Sequence, residues 1–135
     1  MADITVTATA VIGAGKTREG TAGATIAAGE WVYDDTATGT LKLADNDSAT
    51  AAVRVPVGIA LNGGAAGQPI EYLYDGLLTM NAALTAGVPA FLSSTPGKMC
   101  PFADLGSGDY PTLLGYGITA TTFNVNIVRS SVPLA

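Results

Sequence analysis

Apolar and polar side chains alternate with period two through much of this chain. Ile4-Thr-Val-Thr-Ala-Thr-Ala-Val11 puts an apolar residue at every second position, the pattern of a half-buried strand. The run Thr122-Phe-Asn-Val-Asn-Ile-Val128 is cleaner. Phe123, Val125 and Ile127 share one face, and Asn124 and Asn126 share the other. Residues 30–34, 53–61 and 70–74 are rich in β-branched and aromatic side chains and predict further strands. Pro56 has no amide hydrogen to give a neighbour, so it marks an edge or a bulge in its run. Turn residues cluster between the runs, at 35–39, 62–64, 75–76, 94–97 and 106–109. Residues 81–86 offer one helical turn and little more. Short strands at about ten-residue spacing predict an all-β fold, a small β-barrel or β-sandwich.

An internal echo refines this. Ile26-Ala-Ala-Gly29 resembles Leu84-Thr-Ala-Gly87, and an aromatic follows each glycine by four residues, Tyr33 or Phe91. Then come a turn glycine (Gly39 or Gly97), an Ala-Asp pair (Ala44-Asp45 or Ala103-Asp104) and, thirteen residues after each Asp, Gly58 or Gly117. The offset stays at 58 to 59 residues. Two pseudo-repeated halves follow, about 22–76 and 80–128, inside one β domain of residues 21–135. An extended N-terminal strand or arm occupies residues 1–20.

Composition adds a constraint on the surface. Charged residues make up only 13% of the chain, against about 25% in an average domain. Part of the outside is therefore expected to be hidden against copies of the chain or against another protein. The net charge is −5 and the six Lys and Arg residues are scattered, which argues against a nucleic-acid partner. Cys100 is the single cysteine and reads as a small buried apolar residue. No targeting segment is expected, since the N-terminus carries Asp3 and no basic stretch. The longest uncharged run, 76–97, is broken by Asn81, Pro89 and Pro96, so no membrane association is expected.

Candidate chemistry is sparse. Ala10-Val-Ile-Gly-Ala-Gly-Lys-Thr17 fits the loose Walker A pattern. A phosphate-binding loop needs a helix after it, and Gly20 and Gly23 fall where the first helical turns would lie. The stretch reads instead as a glycine-rich connection after the first strand. Asp45-Asn-Asp-Ser48 starts like a calcium loop, but Thr50 and Pro56 stand where that loop needs Gly and Glu. Asp34 and Asp35 point to opposite faces of a strand. The chain has no histidine, which removes Ser-His-Asp and Cys-His catalysis and His-ligated zinc. Trp31, Tyr33, Tyr72, Tyr74, Phe91 and Tyr116 read as core aromatics. No catalytic residue, cofactor or metal ligand is expected, and the chain is not expected to be an enzyme.

A family resemblance extends this picture. Ala28-Gly29, Val32-Tyr33, Leu41-Lys-Leu-Ala-Asp45, Val57-Gly-Ile-Ala-Leu61 and Ala66-Gly-Gln-Pro-Ile70 stand in the first half. Leu84-Thr-Ala-Gly87, Pro101-Phe-Ala-Asp104, Ser107-Gly-Asp-Tyr110, Leu114-Gly-Tyr-Gly117 and Asn124-Val-Asn-Ile127 stand in the second. In order and spacing these strings, over residues 22–128, resemble the small head decoration (cement) proteins of tailed phages. The resemblance implies a homotrimer made in the host cytoplasm that sits on the outer surface of the virion. It would bridge neighbouring copies of the major capsid protein and stabilise the assembled head. Ile4, Val6, Lys16 and Arg18 are candidate capsid contacts: the alternating segment adds a strand to a partner's sheet edge, and the two cations meet acidic shell residues. The competing expectation for this segment is an ordinary first strand of the domain. The alternative function is a glycan- or receptor-binding β module of a phage tail or fibre.

Overall fold

Residues 3–134 are described by a computed structural model. Among these residues nine strands form in chain order: β1 Ile12–Thr21, β2 Trp31–Asp35, β3 Thr40–Leu43, β4 Gly58–Ala60, β5 Pro69–Thr79, β6 Pro89–Leu92, β7 Met99–Cys100, β8 Leu113–Gly117 and β9 Thr122–Val128. They pair antiparallel in the order β3-β2-β4-β5-β9-β8-β6-β7, with β1 added along β5, and the sheet curls into a half-barrel. Among the described residues helix is limited to three short 3-10 turns.

The pairing order is itself a repeat. The first half runs β3-β2-β4-β5, the second runs β7-β6-β8-β9, and the two join where β5 pairs with β9. Each half opens with the same turn. Gly29 N–H donates to the Ala60 carbonyl and Ala60 N–H to that of Glu30, while Gly87 N–H donates to Gly117 and Gly117 N–H to Val88. Gly29 and Gly87 sit at φ +89° and +78°, a region side chains avoid, which is why the echo keeps glycine there. The register corrects one detail of that echo. Val32 faces Gly58 and Ala90 faces Gly115, so the counterpart of Gly58 is Gly115 and not Gly117. The thirteen-residue spacing misleads because the β3–β4 connection is two residues longer than the β7–β8 connection.

β5 is the hub. One edge pairs with β1 from Ile12↔Thr79 to Thr21↔Pro69, and the other edge is shared between β4 and β9. A bulge interrupts it: Lys16 faces Asp75 but Thr17 faces Leu73, which leaves Tyr74 as the extra residue. Asp75-Gly76, expected as a turn, therefore lies inside an eleven-residue strand. The extra residue also flips the alternation, so that Leu73 and Leu78, five apart, point into the same core.

Two apolar clusters hold the sheet. The larger includes Trp31, Ile59, Leu73, Leu78, Leu92, Met99, Leu114, Phe123 and Val125, with Trp31 edge-on to Phe123 at 6.3 Å between ring centres. The smaller lies on the opposite face of β2, β4 and β5, where Val32, Leu41, Ala60, Ile70 and Tyr72 meet Ala22 and Ile26. Residues 22–26 fold back to cover that face, through Gly23 N–H to Leu41 O and a two-way exchange between Ile26 and Gly64. Burial on both faces explains why Val57-Gly-Ile-Ala-Leu61 is continuously apolar instead of alternating.

The N-terminal alternation does not become a strand. Ile4 makes a single bridge to Met99, and residues 8–10 form a 3-10 turn. The segment is pinned by polar contacts: Thr7 N–H donates to Asn81 Oδ1 at 2.7 Å, Asn81 Nδ2 to the Thr5 carbonyl at 2.8 Å, and Ser93 Oγ to Asp3 Oδ1 at 2.5 Å. The strand forms instead over Ile12–Thr21, which takes in most of the Walker-like stretch expected as a glycine-rich connection. Its glycines make this possible. A Cβ on Gly20 would lie 2.7 Å from Leu41 Cδ1, and one on Gly13 would lie 2.7 Å from Leu61 Cδ1. Close approach to the long free edge of β5 outweighs the local propensity of residues 4–11.

Candidate interaction surface

The flip at the β5 bulge sends Leu77 and Thr79 outward while Leu78 and Met80 face the core. Register then assembles two rows across the outer face. Ala14 faces Leu77, Leu77 faces Asn124, Asn124 faces Tyr116, and Tyr116 faces Pro89, a row that crosses β1, β5, β9, β8 and β6. In the next row Ile12 faces Thr79 and Thr79 faces Thr122, whose carbonyl accepts the Ile118 N–H. Neither row contains a charged side chain. Strands are spaced ~4.8 Å apart, so the face is about 19 Å wide. It is also wet: Ile12 is 65% exposed, Leu77 42%, Tyr116 44% and Ile118 42%. Val88, bonded through its carbonyl to Gly117 N–H, extends the apolar surface at 45% exposure. Charge returns at the margin, with Lys16 opposite Asp75.

The four sequence candidates separate into two environments. Ile4 and Val6 are half-buried and pack against the larger core. Lys16 and Arg18 are exposed on β1, and Arg18 lies 4.6 Å over the Tyr74 ring, a cation–π contact. These two cations also punctuate the unpaired edge of β1. Charged residues at such positions oppose casual strand addition. The Walker-like stretch has neither the loop nor the helix that phosphate binding requires, because residues 12–17 are extended and paired with β5.

The remaining candidates occupy structural positions. Cys100 is buried, and burial, seconded by the Asp3 carboxylate, pushes its thiol up to about 12. Residues 45–48 form a turn in which Asp47 N–H donates to Asp45 Oδ1, and desolvation together with the Asp47 side chain raises the Asp45 carboxyl. Between them Asn46 is fully buried, with Nδ2 donating to the Leu92 carbonyl at 2.8 Å. Asp35 is held low by Lys42, whose Nζ lies 2.8 Å from Oδ2. Of the aromatics expected in the core, Trp31 and Tyr72 are buried, while Tyr116 lies on the exposed face. Among the described residues no cluster of three or more metal-binding side chains occurs, and no helix is long and apolar enough to cross a membrane.

Sequence reasoning located a charge-poor surface but not these residues. The usable signal was the alternation Leu77-Leu78-Thr79-Met80, which continues the 70–74 run once a bulge at Tyr74 is allowed for. No protein-family model matches the chain, and no curated protein is significantly similar to it.

Proposed function

We propose that this chain is a structural virion protein, a capsid decoration protein that self-associates and binds the outer surface of an assembled phage head. The observation that carries the proposal is the uncharged outer face of β1, β5, β9, β8 and β6. Apolar side chains left in water on such a face favour burial against a partner. Depletion of charge is the compositional mark of an interface centre. Sister copies are the occupants proposed for this face, and the major capsid protein is the partner of the oligomer. Binding to the assembled shell stabilises it by mass action, and several linked copies raise the effective affinity above that of one.

Light scattering of the purified protein, followed by co-sedimentation with undecorated shells, tests this. The expected result is a trimer that pellets with shells, and a Leu77→Asp, Tyr116→Asp variant that is folded but monomeric. A wild-type chain that stays monomeric at micromolar concentration and ignores shells overturns the proposal. Retention on a glycan array by such a monomer points instead to a tail or fibre module.

A further inference from the structure

A second surface feature lies away from the apolar face. Arg54 and Arg129 line a cleft of about 360 Å³ together with Ala51, Val55, Ser130 and Ser131. Two of the three arginines in a chain of net charge −5 thus share one concavity. Among the described residues no carboxylate lines it. Among the described residues Lys42 and Lys98 are ion-paired, with Asp35 and Glu30, whereas neither Arg54 nor Arg129 has an ion-pair partner.

The cleft is built rather than incidental. Arg54 Nη1 donates to the Ser48 carbonyl at 3.0 Å, and the guanidinium lies 3.7 Å over the Tyr110 ring. Tyr110 is tied in turn, by its N–H, to the carbonyl of the buried Asn46. One donor and the flat face of Arg54 are thereby used, and its remaining N–H groups are held ready for a ligand. Elsewhere in the lining, Ser130 Oγ donates to the Val132 carbonyl and accepts from Val132 N–H, which fixes the turn that follows Arg129. The segment is closed by Leu134, which exchanges hydrogen bonds with residues 108 and 109.

We infer that this cleft binds a carboxylate presented by an acidic peptide segment of a partner protein. A stacked guanidinium offers a planar fork of donors, and a carboxylate accepts it bidentately. A second guanidinium in the lining favours the anion further. Nucleic acid is the wrong ligand, because its phosphates run on past the two arginines over a surface of net charge −5, whereas a short acidic segment brings its charge only to the cleft. The inference rests on the decoration proposal only for the partner's identity, an acidic segment of the shell.

The test is an NMR titration of the folded full chain with a capped tri-glutamate peptide, with inorganic phosphate and a capped tri-lysine peptide as controls at matched ionic strength. Saturable shifts are expected at the amides of residues 51–55 and 129–131 with the glutamate peptide. Losing one charge-assisted contact should weaken binding about tenfold in Arg129→Gln, with a smaller loss in Arg54→Lys. Arg129 is exposed, so its variant should melt with the wild type. No saturable shift up to tens of millimolar peptide, or phosphate saturating at lower concentration than the peptide, overturns the inference. Shell binding separates the two proposals. If the wild type decorates shells and the Arg54→Gln, Arg129→Gln variant decorates equally well, the cleft inference fails and the decoration proposal stands. If the peptide binds and shells do not, the reverse holds.

Discussion

Gly115→Ala should be the most damaging single methyl that can be added to this protein. Gly115 sits in β8 at φ +149°, opposite Val125. A Cβ there would fall on the Asn124 carbonyl oxygen and lie 2.9 Å from Phe123 Cε2. Both neighbours are hard to move. The carbonyl belongs to the backbone of β9, and Phe123 is fully buried with its ring against Trp31. Backbone strain at an unfavourable φ costs about 1–3 kcal/mol, and overpacking a rigid site costs about 1–3 kcal/mol more. The combined loss, about 4 kcal/mol, is a large share of the ~5–15 kcal/mol that stabilises a typical domain. With an unfolding entropy of about 2.1 cal/mol/K per residue, that loss should lower the melting temperature by roughly 14 °C. Gly108→Ala is the control, since Gly108 has φ +87° but nothing within 4 Å of the added Cβ. It isolates the backbone term and should cost about 1–2 kcal/mol, or roughly 4–7 °C. Gly58→Ala, the counterpart in the first half, should fall between them: its Cβ would lie 2.5 Å from the Leu73 carbonyl oxygen and 2.7 Å from Tyr72 Cδ2. Calorimetry or thermal circular dichroism reads all three. If Gly115→Ala melts within about 2 °C of Gly108→Ala, cross-strand contact is not what demands glycine here, and the argument from close approach is wrong.

Two further outcomes follow from the titrating groups. Cys100, buried with its thiol pushed up to about 12, should resist iodoacetamide in the native protein at pH 8 and react at the rate of a free thiol in denaturant, as mass spectrometry will show; rapid native labelling would contradict the buried placement. The Asp35 carboxyl is lowered by Lys42, so the pair's contribution is present above the ordinary Asp value of 3.8 and fades as pH falls through the lower folded value. Lys42 is raised by Asp35, so at the alkaline end the contribution is full below 10.5 and fades as pH rises through the higher folded value. A Lys42→Met variant should therefore differ in melting temperature from the wild type near neutral pH, with the gap narrowing towards both extremes; a gap that does not depend on pH would assign the effect to packing alone.

How much of this was legible along the chain depended on how locally each feature is encoded. β9 was, because Phe123, Val125 and Ile127 alternate with asparagines in a strand that keeps one wet face. The doubled architecture was also legible, because Gly29 and Gly87 meet the same backbone demand at the same offset. β5 was truncated in the sequence reading, since a bulge at Tyr74 and Asp75-Gly76 carry the composition of a turn. The position of β1 was missed for a different reason. Ile4 to Val11 has the better pattern, but the Ile12–Thr21 stretch has the glycines that let a strand lie against β5, Leu41 and Leu61, and no periodicity reports a neighbour's free edge. The charge deficit lies one level further from local encoding. It is visible in the composition, yet Ala14, Leu77, Asn124, Tyr116 and Pro89 come from five strands and become one row only through register. Arg54 and Arg129 likewise meet only after the chain beyond β9 has been closed against residues 108 and 109. A surface of this kind belongs to the sheet rather than to any segment. Shifting the pairing of β5 and β9 by one residue would turn Leu77 inward and Leu78 outward, and would erase the apolar face without changing the sequence.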